Sequence, residues 1–169
     1  MWVTEKKDRF EIDLDVIQDD LSLATRGASW VTNEANGMKD KREWMMDQML
    51  KAPKDQQLWD RKKNTWRMTR VREYRQLQRR LKELSLALGH EGGGPPGRGE
   101  EITPIRFRNG LLQERNIYVI GGRIAYVTRY HKSQALFGEA KVIPRFLPWR
   151  IGQIWAIYLA YVQPFSETL

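Results

Sequence analysis

The chain has no cysteine, only two histidines, and no apolar run approaching the length of a membrane span. The first absence removes disulfides, zinc fingers, iron–sulfur centres and thiol catalysis together, and it fits a reducing compartment. With His90 and His131 alone, a multi-histidine metal site or a catalytic triad is hard to assemble, so no metal and no cofactor are expected. A membrane helix needs ~20 consecutive apolar residues, so no membrane partner is expected. The opening MWVTEKKDRF lacks the apolar core of a secretory signal. A soluble intracellular protein is the expectation.

Aromatics and positive charge are plentiful. Seven Trp, six Tyr and five Phe in 169 residues argue for a packed core, since disordered chains are poor in aromatics. That length allows one ordinary domain, or a small domain with an attached helical region. The net charge is +8, unevenly placed: residues 1–54 carry −2, residues 55–90 carry +6 and residues 91–169 carry +4. A concentrated positive field attracts phosphate backbones, although a solvated basic helix face has the same composition.

Apolar periodicity predicts mostly helix in the first half. Phe10, Leu14, Ile17 and Leu21 step by four, three and four, which predicts a helix over 10–25. Turn chemistry follows at Arg26-Gly27 and Asn36-Gly37, then a short helix from about Asp40 to Lys51 with Met residues as core filler. From about Asp55 to Leu88 a long helix is expected, with Tyr74, Leu77, Leu81, Leu84 and Leu88 forming a heptad seam among arginines. That seam should pack on other helices or on a partner, self-association included. Gly92-Gly93-Gly94-Pro95-Pro96-Gly97 then ends the helix. It is no phosphate-binding loop, because no Lys-Ser or Lys-Thr follows the glycines.

Beyond this break the period changes to two. Residues 116–120 and 123–128 read as a hairpin closed by Gly121-Gly122. Residues 141–146 read as an edge strand, which tolerates Pro144. Pro148 opens a last, broadly apolar helix on which Tyr158 and Tyr161 belong to the core. The fold class predicted is α+β, mainly α: an N-terminal helical region, then a small three-stranded antiparallel sheet packed with helices. The divisions expected are a basic helical region over 1–90, a Gly/Pro elbow over 91–97 and a further unit over 98–169.

Four features of the second half occur in a telling order. Arg98 stands at a helix start with Glu101 three residues on; a small antiparallel sheet follows; Lys132 sits in the turn after its second strand; and KVIPRFLP leads into a helix. In this order and spacing the chain resembles the front of the tyrosine-recombinase catalytic domain. Arg98 and Glu101 fall on that family's R-x-x-E positions, Ile105-Arg106-Phe107 on its Arg-aromatic stretch, Lys132 on its hairpin lysine and Arg145-Phe146-Leu147-Pro148 on its R-x-x-P string. The strings RNIYVIGGRIAYVTRYHK and VIPRFLP are most similar to Crypton-type recombinases of fungal mobile elements and to a segment joined to fungal RecQ-like helicases.

The resemblance implies double-stranded DNA as partner, a nuclear location and a role in DNA recombination or integration. It implies Arg98 clamping the reacting phosphate, Lys132 protonating the leaving oxygen and Glu101 supporting them. Arg67, Arg70, Arg75, Arg79, Arg106, Arg108, Arg115, Arg129 and Arg145 are the candidate DNA contacts. The family's His-x-x-Arg and tyrosine nucleophile have no counterpart here, since His90 precedes Glu-Gly-Gly and His131 precedes Lys-Ser-Gln. The expectation is therefore a fragment that binds DNA without cutting it. Two plainer accounts stay open: Arg98–Glu101 as an ordinary helical ion pair, and the whole chain as a non-catalytic interaction segment of a helicase-related polypeptide.

Overall fold

The computed structural model describes residues 11–54, 56–94, 97–130 and 141–169. In chain order its elements are α1 (Met38–Lys51), β1 (Trp59–Asp60), β2 (Thr65–Trp66), α2 (Met68–Gly92), α3 (Gly99–Ile102), β3 (Ile117–Ile120), β4 (Arg123–Tyr130), β5 (Lys141–Phe146), α4 (Trp149–Ile157) and α5 (Gln163–Thr168). A π-helical turn, Tyr158–Val162, joins α4 to α5 without a break. Helix accounts for 44% and strand for 14%, so the protein is α+β and mainly α. Among the described residues no helix is long and apolar enough to cross a membrane.

The sheet is antiparallel with β4 in the middle. Gly121 and Gly122 close the β3–β4 hairpin with φ of 54° and 70°, the left-handed pair that a two-residue turn with the strands' own twist requires. Pro144 lies opposite Val127 on the outer strand β5. Ile117, Val119, Ile124 and Tyr126 project into the main core, where Trp155, Ala156, Leu159 and Ala160 cover them.

Residues 11–25 form no helix, contrary to the expected one. The acidic side chains compete for the backbone there: Asp13 accepts from the Asp15 N–H, and Asp20 from the Ser22 N–H and hydroxyl. The segment instead runs as turns beside the β3 edge and sends Ile12 and Leu14 into the main core, where Trp30 of the following turn joins them. Gln153 on α4 acts as a surrogate strand for it. Its amide donates to the Ile12 carbonyl at 2.7 Å and accepts from the Ile12 N–H at 2.9 Å. The core thus draws on both sides of the 91–97 break.

A second core gathers Met49 of α1, Leu58, Val71 of α2 and Phe165 of α5. The long helix expected from Asp55 starts only at Met68. Before it, Asp60 accepts from the Lys62 and Lys63 N–H groups and folds a small hairpin in which Trp59 and Trp66 meet edge to face at 5.0 Å.

Helix α2 lies on the body through Val71, Ser85 and Gly89, not through its leucines. At Gly89 the Trp155 ring of α4 approaches so closely that a Cβ would collide with it, and the Trp155 Nε1–H donates to the Ser85 carbonyl at 2.8 Å. The expected packing of the leucine seam on other helices is therefore overturned. Leu77, Leu81, Leu84 and Leu88 are 71, 38, 48 and 46% exposed, because small residues elsewhere on the helix permit the closer approach. Gly89→Ala tests the crossing by sign. Helix propensity alone predicts a gain of about 1 kcal/mol, whereas overpacking against a buried ring costs about 1–3 kcal/mol. We expect a net loss of stability in urea denaturation; a gain would mean that the helices do not meet tightly there.

Candidate nucleic-acid interface

The main candidate surface is one flank of α2. Arg72, Arg75, Arg79 and Lys82 step by three, four and three, so they share a face. All four are exposed, and none is in an ion pair among the described residues. Their span of ten residues is about 15 Å, the axial length of roughly four base-pair steps of duplex. Two of them, Arg75 and Arg79, were expected from the sequence. Arg72 and Lys82 complete the row and were missed as contacts, although the 3-4-3 spacing that links them was legible.

Three neighbouring arginines, Arg67, Arg70 and Arg80, are engaged locally. Arg70 donates to Glu73 at 2.7 Å, and Arg80 lies 3.8 Å from Glu83. Arg67 donates to the Lys54 carbonyl at 2.6 Å with its Nε 3.7 Å from Asp60, so it braces the small hairpin against α2.

In the second half two expected contacts are structural instead. Arg115 is buried. Its guanidinium donates to Asp19 at 2.5 Å and to the Asp20 carbonyl at 2.6 Å, with both ion-pair side chains only 1% exposed. The Tyr118 ring covers it at 4.6 Å. Arg145 is likewise buried, on the inner face of β5, where its Nε donates to the Thr128 hydroxyl at 3.3 Å. Neither presents a guanidinium to a phosphate, because each is turned inward to satisfy a polar group of the core. Arg108 pairs with Glu167 of α5 and lies over the Phe107 ring. Arg106 is exposed. The side chain of Arg129 lies outside the described residues.

Of the residues expected at the reacting phosphate, Arg98 is exposed at the start of α3. The helix it opens is a single turn, which ends before Pro104. Lys132 and the side chain of Glu101 lie outside the described residues. The placement that remains is that α3 packs on β4, the strand whose chain leads toward Lys132.

Tyr158 is buried, and its hydroxyl donates to Gln163 at 2.9 Å. Burial pushes the phenols of Tyr74, Tyr126, Tyr158 and Tyr161 up from the usual tyrosine value. That is the opposite of what an activated nucleophile needs. Among the described residues no cluster of His, Asp or Glu side chains is arranged to hold a metal ion.

No protein-family model matches the chain, and no solved structure matches it.

Removing one partner of the buried ion pair leaves the other as an uncompensated charge, so Arg115→Ala should lose about 3–5 kcal/mol of stability in urea unfolding. A variant that stays as stable as the parent while losing DNA affinity would return Arg115 to the binding surface.

Proposed function

We propose that this chain binds duplex DNA through its phosphate backbone, as a non-cleaving segment of a tyrosine-recombinase-like protein. The observation that carries the proposal is the row Arg72, Arg75, Arg79 and Lys82, exposed along one flank of α2 and free of carboxylate partners among the described residues. Unpaired cations spaced along a rigid rod can each displace a condensed counterion when they meet a phosphate. Paired arginines such as Arg70 must first give up a carboxylate, which reduces their net gain. The recombinase likeness supplies the substrate class and rests on the order of Arg98, the sheet, Lys132 and the Arg145–Pro148 string in the sequence.

The described tyrosines favour a binding over a cleaving role. Tyr74, Tyr126 and Tyr158 take their places in the packing of the two cores, and the Tyr118 hydroxyl donates to the Arg115 carbonyl at 2.7 Å. The chemistry of strand cleavage would need a tyrosine oxygen facing a phosphate beside Arg98.

The test is duplex binding by the purified chain across a salt titration. Four phosphate contacts predict that log K falls with log salt with a slope of about −3.6. Arg75→Glu combined with Arg79→Glu should weaken binding at every DNA sequence and flatten the slope by about 2. Arg98→Ala should change affinity little, since it lies off that row. Absence of binding at low salt by the folded chain, or full binding by the double reversal, would sink the proposal.

A further inference from the structure

The opposite flank of α2 carries a row that the DNA proposal does not use. At alternating steps of four and three it reads Arg70, Tyr74, Leu77, Leu81, Leu84, Leu88 and Glu91. Its four leucines are 71, 38, 48 and 46% exposed. The row is thus basic at one end, apolar in the middle and acidic at the other. It faces away from the Arg72–Lys82 row by roughly half a turn of helix, at ~100° per residue. From Leu77 to Leu88 the apolar part is about 16 Å long.

We infer that this row is a self-association surface, on which α2 pairs with α2 of a second copy in antiparallel orientation. The charge order decides both the occupant and the direction. A two-fold axis beside Leu81 sets Arg70 of each copy against Glu91 of the other, Leu77 against Leu84, and the two Leu81 side chains against each other, while Tyr74 stays packed on Phe165 of its own chain. Parallel pairing would stack arginine on arginine and glutamate on glutamate.

The helix dipoles favour the same direction. Arg70 lies in the first turn of α2, at the positive end, and Glu91 in the last turn, at the negative end. Each therefore opposes the dipole of its own helix, and antiparallel pairing brings each to the partner end that attracts it. Arg70 is held only by an exposed pair with Glu73, a contact worth tenths of a kcal/mol. Glu91 makes no ion pair among the described residues. Because the same patch meets itself, the contact closes as a two-fold dimer rather than growing into a chain. The basic row remains uncovered in that dimer.

The experiment is sedimentation equilibrium of the full chain, from low micromolar to several hundred micromolar, without DNA. The expected result is a reversible monomer–dimer equilibrium. Leu77→Glu and Leu84→Glu should each weaken it roughly tenfold or more, by placing a charge where the apolar layers must shed water. Circular dichroism should stay unchanged, since both leucines are exposed in the monomer. Arg70→Glu and Glu91→Arg should each weaken the dimer, and the two together should restore it. A chain that stays monomeric at the highest concentration overturns the inference. So does a dimer indifferent to both leucine variants, or single charge reversals that leave association intact.

Discussion

The crossing of α2 over α4 at Gly89 and Trp155 is the contact on which both proposed surfaces depend. A tryptophan ring against a glycine backbone lets the two helices approach more closely than any pair of larger side chains would allow, and it fixes α2 in rotation as well as in place. The Trp155 Nε1–H bond to the Ser85 carbonyl adds a polar tie one turn away. Further toward the start of the helix, Gln78 meets the Tyr158 hydroxyl at 3.1 Å, and Val71 enters the second core. With the face through Val71, Gln78, Ser85 and Gly89 held down, the arginine row stands on one flank and the leucine row on the other. A rotation of α2 by a quarter turn would bury one of these rows and present the wrong side to solvent.

The sheet depends in turn on a buried charge pair. Asp19 accepts from Arg115 and, through its second oxygen, from the Val119 N–H at 2.8 Å. Val119 lies on β3, an outer strand, so the carboxylate satisfies a backbone donor on an otherwise open edge. The 11–37 segment is held to that edge by such contacts and by side-chain amides. Asn109 donates to the Leu23 and Thr25 carbonyls, and within the segment Asn36 donates to those of Gln18 and Trp30, which keeps its turns together. Positive charge is consequently a poor measure of binding surface in this protein. The arginines at 67, 115 and 145 are held by contacts within the fold, and the row proposed to meet DNA is confined to a few turns of α2.

What was legible in the sequence was what local chemistry decides. Gly121-Gly122 tolerates the positive φ at both positions that the two-residue hairpin turn requires, Pro144 permits only an outer strand and Pro148 opens a helix, so the sheet and α4 were predictable from a few residues each. Competition between side chain and backbone was not legible from periodicity. The 4-3-4 spacing of Phe10, Leu14, Ile17 and Leu21 predicted a helix, but Asp13 and Asp20 accept from the N–H groups two residues on, those of Asp15 and Ser22. Lys62-Lys63-Asn64 sits in the stretch expected to be helical from about Asp55, yet Asp60 gathers it into a turn, with Asn64 at φ 50°. Charge density in the sequence pointed to Arg75 and Arg79, which are exposed, but which arginines are engaged within the fold depends on partners distant in sequence, such as Asp19 for Arg115.

The leucine seam shows why heptad spacing alone misjudges burial. Three rows on α2 fit heptad spacing: the seam and the arginine row by alternating threes and fours, and the row through Val71, Gln78, Ser85 and Gly89 by steps of seven, seven and four. Periodicity identifies each as a face without ranking them, and hydrophobicity ranks the seam first. Packing ranks them differently. The α4 helix presents a large flat ring, and the complementary surface is a small residue, not a leucine. Against Leu81 or Leu84, Trp155 would stand off by the depth of a side chain, and its N–H would lose the Ser85 carbonyl. A buried indole donor without an acceptor costs about 1–3 kcal/mol, comparable with burying one more leucine side chain at about 1.5–3 kcal/mol. Closer helix contact over the whole crossing then tips the balance, and the leucines are left facing outward.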